Sequence, residues 1–187
     1  MSRAHRIPII ATLIVAAAIA TMIGLGIWQL GRMQEKEALI ARYQAAATSA
    51  ETLAALPADP LANLYRRVAF TCTGVTAWNA ISGRNARGQA GYVHIASCPG
   101  AEVVLGWSRD PSLVPDWAGG ALTGTIDPGG VAGWRIVADP PLAGLEANAA
   151  PDPADTPNNH LAYAGQWFFF ALSALVIYVL ALRKRGR

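Results

Sequence analysis

Charge is scarce in this chain. Lys, Arg, Asp and Glu make up 14% of its 187 residues, against about a quarter in an average soluble domain, and the shortage suggests that part of the chain lies in lipid. Cysteine occurs twice, at Cys72 and Cys98. Their separation of 26 residues excludes a C-x-x-C redox or copper motif and leaves one disulfide or two buried thiols. Histidine occurs three times. No H-E-x-x-H, G-x-S-x-G elbow or phosphate-cradling glycine loop is present, so the common hydrolase and nucleotide signatures are missing. Ser108, His94 and Asp110 assemble into a triad only on paper. No internal repeat is apparent.

What fills the space is apolar. Hydrophobic residues make up 53% of the chain, and two uncharged stretches stand out. Ile7 to Ile27 covers 21 residues and reaches roughly 31 Å as a helix, the thickness of a bilayer core. Leu161 to Leu182 covers 22, roughly 33 Å at the same rise. A cleaved signal peptide is the alternative for the first stretch, with Ala16, Ala18 and Ala20 as A-x-A-like sites. Its apolar run continues past them to Ile27, longer than an ordinary signal core.

Acidic residues are absent from both ends. Arg3 and Arg6 precede the first stretch, and Arg183, Lys184, Arg185 and Arg187 follow the second. The tails thus hold 6 of the 15 basic residues and none of the 12 acids, leaving a net charge of −3 between the spans. Basic flanks stay in the cytoplasm. The expected layout is a cytoplasmic tail 1–6, a membrane helix 7–30, an exported domain 31–160, a second membrane helix 161–182 and a basic cytoplasmic tail 183–187. The pI near 9.1 is then a signal of topology, and no nucleic-acid partner is expected, because the exported part is acidic.

Residues 31–56 are rich in helix formers, without proline before Pro57, and predict a helix continuing from the first span. LPADP (56–60) breaks it. Short glycine-bounded runs follow, with candidate strands at 66–73, 75–81, 91–97, 102–107, 121–126 and 134–138. Turn signals at SGRNARG (82–88), PG (99–100) and DPGG (127–130) suggest an antiparallel sheet or small barrel. Residues 140–159 read as a proline-rich loop returning to the membrane. The fold class is therefore membrane α+β: two transmembrane helices flanking an exported, mainly antiparallel β domain.

Two end motifs carry candidate chemistry. In GLGIWQLGRMQEKEALI (24–40), Trp28 suits the aromatic belt of a bilayer, Arg32 and Lys36 share a helical face, and Gly24 and Gly26 admit close approach of another helix. In PNNHLAYAGQWFFF (157–170), Asn158 or Asn159 suits a helix cap. His160, Tyr163 and Trp167 fall within about 60° of one another around a helix. An imidazole, a phenol and an indole on one face suit a haem iron and a flat macrocycle. They equally suit an interfacial aromatic belt with a histidine turned to water, which is the commoner arrangement. His5 lies on the basic cytoplasmic flank. His94, between Val93 and Ile95 in a candidate strand, is expected to point to solvent or to make a structural hydrogen bond.

These motifs resemble the surfeit locus protein one family, membrane assembly factors for haem–copper cytochrome oxidases. Gly24, Gly26, Trp28, Gln29, Arg32, Lys36, Leu39 and Ile40 fit the family's G-x-G-x-W-Q-x-x-R and its continuation to K-x-x-L-I. Asn158, His160, Leu161, Tyr163 and Trp167 fit its N-x-H-L-x-Y-x-x-x-W. Tyr65, Arg66 and Val68 are similar to its Y-R-x-V strand, and Gly91, Tyr92 and Val93 to its G-x-V strand. VVLGWSRDP (103–111) departs from the usual V-N-R-G-W-V-P, and the T-P after the preceding strand is absent.

The resemblance implies a non-enzymatic assembly factor in a bacterial inner membrane, both termini cytoplasmic, that binds haem a transiently and supports its insertion into cytochrome c oxidase subunit I. It implies His160 as axial ligand to the haem iron with Trp167 as its neighbour; Tyr163 shares their helix face, and Arg32 or Lys36 would pair with the propionates if the two helices pack together, an inference beyond the resemblance. Subunit I, the lipid bilayer and the haem a biosynthetic enzyme are the implied partners. A haem-independent clamp on a nascent oxidase subunit is the alternative. A membrane-anchored enzyme built on Ser108, His94 and Asp110 is a third reading.

Overall fold

The structure, a computed structural model, describes residues 8–185. The expected tail 1–6, with Arg3, His5 and Arg6, and the terminal Arg187 lie outside the described residues. The chain divides into a helical unit, residues 1–39 and 157–187, and a sheet unit, residues 40–156.

The helical unit is built from helix α1, Ile9–Ala47, whose last turns belong to the sheet unit, and helix α2, His160–Arg185. Both are long and apolar enough to cross a membrane. Along α1 the covered positions include Thr12, Val15, Ile19, Met22, Gly26, Gln29, Met33 and Lys36, alternating in steps of three and four. On α2 the matching stripe is His160, Ala164, Trp167, Ala171, Ala174 and Tyr178. A repeat near 3.5 residues on both partners is the pattern of two helices packed along a seam. The helices run antiparallel. The Thr12 and Tyr178 hydroxyls lie 2.5 Å apart, the Phe168 ring packs against Gly26, and the His160 imidazole meets the Gln29 amide. Away from the seam Ile10, Leu13, Phe169 and Ile177 are at least 64% exposed. Such a surface is stable in lipid, where the backbone is satisfied within the helix. The two helices fit a membrane protein with two spans.

The first helix ends earlier than expected from the run to residue 56. Thr48 donates its hydroxyl hydrogen to the carbonyls of Gln44 and Ala45, and Ser49 Oγ accepts from Glu51 N–H. Side-chain bonds of this kind offer the backbone an alternative to another helical turn. The two-residue strand β1, Thr52–Leu53, follows directly.

Six further strands complete the sheet: β2 Arg67–Cys72, β3 Ala77–Arg84, β4 Ala90–Cys98, β5 Ala101–Ser108, β6 Gly120–Pro128 and β7 Trp134–Ala138. Their order is β1-β2-β6-β7-β5-β4-β3. The sheet is mixed, which corrects the expectation of a mainly antiparallel one. β7 turns back beside β6 as a hairpin and so comes to lie parallel to β5, and β1 lies parallel to β2. The 82–88 turn is also shorter than expected, because Ser82, Gly83 and Arg84 belong to β3. Asn85 closes the hairpin: its Oδ1 accepts from the N–H groups of Arg87 and Gln89.

The larger hydrophobic cluster fixes the curvature. Val68, Val103, Leu105, Ile126 and Ile136 are fully buried in it, and Tyr43 and Ala46 from the end of α1 pack against it. Cys72 ends β2 and Cys98 ends β4, with three strands between them in the order, yet they form a disulfide with Cα atoms 5.4 Å apart. The sheet is therefore strongly curled about its core. It stops short of a barrel, since β1 and β3 stand at opposite ends of the order without pairing among the described residues.

Candidate functional site

His160 opens α2. The carbonyl of the preceding residue, Asn159, accepts a hydrogen bond from Tyr163 N–H and so starts the helical ladder. The amide oxygen of Gln29, on α1, lies 2.7 Å from His160 Nδ1. A carboxamide oxygen can only accept, so Nδ1 carries the hydrogen. In neutral imidazole that leaves Nε2 with its lone pair, the form in which histidine ligates a metal. The bond runs between residues 131 apart in sequence. It exists because Gln29 and His160 occupy facing positions of the two covered stripes.

The other expected site residues are disposed around this pair. Trp167 lies two turns along the same stripe as His160, half-buried, its ring edge-on to Phe170 with centroids 6.3 Å apart. Tyr163 stands beside the stripe and is 50% exposed. Arg32 is on α1, three residues beyond Gln29, and its guanidinium forms an ion pair with Glu35 of the same helix. Lys36 continues the α1 stripe. Trp28 is exposed, as a residue meeting lipid headgroups would be. Of the two glycines expected to admit a neighbour, Gly26 does so and Gly24 faces open space. Neither Asn158 nor Asn159 makes a side-chain cap bond among the described residues, and Asn158 Oδ1 is buried without a partner.

The sheet unit holds the second histidine of interest. His94 is 1% exposed, which corrects the expectation of a solvent-facing side chain and leaves the structural hydrogen bond. Its Nε2 lies 2.7 Å from Ser108 Oγ. Burial holds the imidazole below its ordinary pKa, opposed in part by a hydrogen bond to the Leu113 backbone and by the Asp110 charge. The paper triad is not assembled. The Asp110 carboxylate accepts from Ser112 Oγ–H and N–H, bonds that hold it below its usual pKa, and Ser108 donates to the Asp110 carbonyl. Among the described residues no carboxylate is hydrogen-bonded to His94 to orient it as a general base. Nor do three His, Cys, Asp or Glu side chains gather there as metal ligands.

The SURF1 family matches residues 16–172, a span that takes in the exit of α1, the whole sheet unit and the first half of α2. The chain belongs to the SURF1 family. Among curated proteins no match is found. The SURF1 family is associated with cytochrome c oxidase assembly and is a family of assembly factors, not of enzymes. The matched span contains Gln29 and His160, which the helix pair joins, and also His94 and Ser108 of the sheet unit.

The residues at the start of α2 have the chemistry to hold a flat, apolar metal macrocycle. Haem iron takes an imidazole nitrogen as ligand, and Nε2 is the ring nitrogen of His160 that Gln29 leaves to another partner. The macrocycle is flat and apolar, and the surface around His160 carries Trp167, Tyr163 and Leu161 with no acidic side chain in the first three turns of α2. Among the described residues no cluster of three metal-ligating side chains is present, so a ligand role at this end of α2 would rest on His160. Gln29 was missed as a site residue from sequence because its role depends on a partner in the other helix.

Proposed function

We propose that this protein carries haem a transiently and supports its insertion into cytochrome c oxidase subunit I, with His160 as the axial ligand. The observation that carries the proposal is the free Nε2 of His160 at the start of an apolar helix, its other nitrogen already bonded to Gln29. Trp167 and Tyr163 would flank the macrocycle, and Arg32 would exchange Glu35 for a propionate at the polar edge. The protein performs no bond-making step: it binds, shields and releases. A lone axial histidine favours release, because the recipient has only one bond to replace.

We place the protein in a bacterial inner membrane, both termini cytoplasmic and the sheet unit exported. The basic tails support this orientation. So does the Cys72–Cys98 disulfide, since such bonds persist outside the reducing cytoplasm.

The test is co-expression with the haem a biosynthetic enzymes, purification in detergent and a pyridine haemochrome spectrum of the parent and of His160→Ala. Haem a in the parent and its loss in the variant is the expected result. Equal haem in both would move the ligand elsewhere. Absence from both, with saturating supply and folded protein, would favour a haem-independent clamp acting through the sheet unit.

A further inference from the structure

We propose that Gln29 is a positioning residue for His160: its amide oxygen holds the Nδ1 hydrogen, keeps Nε2 free of hydrogen, and thereby presets the strength of the axial bond. The inference rests on the haem-carrier reading for its consequence, but the lock itself is a property of the ligand-free protein.

The geometry supplies three separate reasons. The bond is short, at 2.7 Å, and the Gln29 amide turns its oxygen to the ring, an atom that only accepts, so Nδ1 is the donor. Gln29 and His160 also each sit on the covered stripe of their helix, next to the small residues Gly26 and Ala164, which let the two helices come close. Gly26 keeps this approach close. A Cβ there would come within 2.6 Å of the Phe168 ring, so the missing side chain leaves room for the α2 ring one turn from Gln29. Finally, Gln29 has no competing partner: no other hydrogen bond to its side chain is formed among the described residues.

The chemical identity of the acceptor matters. Metal-bound imidazoles characteristically give their second N–H to an acceptor that fixes the ring and raises its basicity. A carboxylate partner makes a strongly basic ligand, and a histidine without a partner is free to turn and to hold hydrogen on either nitrogen. A neutral amide lies between these limits. It presents the ligand and leaves the axial bond replaceable, which is what a carrier requires. Gln29 belongs to α1 and His160 to α2, so the lock also makes ligand presentation depend on the pairing of the two membrane helices.

The experiment uses the full chain in detergent with ¹⁵N-labelled histidine. Long-range proton–nitrogen correlation distinguishes a hydrogen-bearing from a bare ring nitrogen. Parent protein without haem is expected to show Nδ1 bearing hydrogen and Nε2 bare at His160. Gln29→Leu, close in volume and apolar, should return His160 to a mixture, and Gln29→Glu, which keeps an acceptor oxygen in the same place, should restore the parent pattern. With haem a supplied, Gln29→Leu should bind about tenfold to a hundredfold more weakly, and Gln29→Glu should regain affinity with a reduction potential below the parent's, because its carboxylate makes the ligand more basic. A parent spectrum with hydrogen on Nε2, or no change in Gln29→Leu while circular dichroism shows a folded protein, would overturn the lock. The expected nitrogen pattern in a protein that takes up no haem a would confirm the lock and sink the carrier reading instead.

Discussion

At the scale of single residues, the same substitution has different consequences at two glycines that face aromatic rings. Gly91 lies under Trp107, an indole 2% exposed, and a Cβ there would collide with the edge of the ring that carries Nε1. The indole has nowhere to go. Gly91→Ala should therefore destabilise the sheet unit by about 1–3 kcal/mol, the usual cost of overpacking. Gly26 faces the outer end of Phe168, which is 37% exposed and can swing aside. Gly26→Ala should cost less than about 1 kcal/mol. Denaturant titration of both variants in one detergent would check the contrast, and equal losses would refute it.

His94 makes a second residue-scale prediction, through pH. Its pKa in the folded protein lies below the ordinary value because the ring is buried. The unfolded chain then binds the proton more readily. The stability held by neutral His94 is complete above the unfolded value, about 6.5, and is lost as pH falls through the lower folded value. The melting temperature of the parent should decline between about pH 7.5 and 5.5, the window that brackets the unfolded value. His94→Asn, which does not titrate, should melt lower at the upper end of that window but show a flatter decline. An equally steep slope would assign the effect to other groups.

At the scale of elements, the disulfide carries the clearest energetic prediction. Cys72 and Cys98 lie 26 residues apart, and the chain-entropy model gives about 3.5 kcal/mol for a loop of that length. The disulfide ties two strands that the sheet order separates by three others. Replacing both cysteines with alanine should lower stability by about 2–4 kcal/mol, measured by thermal unfolding under identical conditions. A smaller loss would mean that the hydrophobic core alone maintains the curl.

Elements also explain what sequence could reveal. β7 is legible to its ends because Gly133 precedes it and Pro140 follows shortly after. β2, β4, β5 and β6 are legible to within two residues at each end, since their alternating or continuous apolar runs are bounded by turn residues. The strand order is not legible. The parallel contact of β5 with β7 depends on a chain return after the intervening β6, and local pattern carries no record of it. At the site, His160 and Trp167 stand out because they share one helix face, whereas Gln29 reads only as part of a motif until α2 supplies its partner. The burial of His94 was equally hidden: alternation with Val93 and Ile95 suggests an outward side chain, but the register shift in β4 between His94 and Ile95 and the packing of loop residues over β3 and β4 change its surroundings.

For the molecule as a whole, orientation decides which chemistry is accessible to which unit, and the two cysteines report it. A sheet unit in the cytoplasm would meet the glutathione and thioredoxin pools, which keep thiols reduced. Exported, the same unit would retain the Cys72–Cys98 bond. Acid-quenched cells treated with a maleimide of large mass, with and without prior reduction, distinguish these states by electrophoretic mobility. Our topology predicts no added mass before reduction and two additions after it, because the chain has no other cysteine. Two additions without reduction would place the unit in the cytoplasm. The start of α2 would then face the cytoplasmic side, and a carrier presenting its ligand at the outer edge of the membrane would no longer be tenable. Moving basic residues offers the reciprocal check. Arg183 and Lys184 follow the apolar run of α2, and replacing them with glutamine weakens the signal that retains that end. The fraction of cells in which the C-terminus becomes accessible to externally added protease should rise, while the redox state of Cys72 and Cys98 should stay unchanged wherever α1 still directs the unit outward.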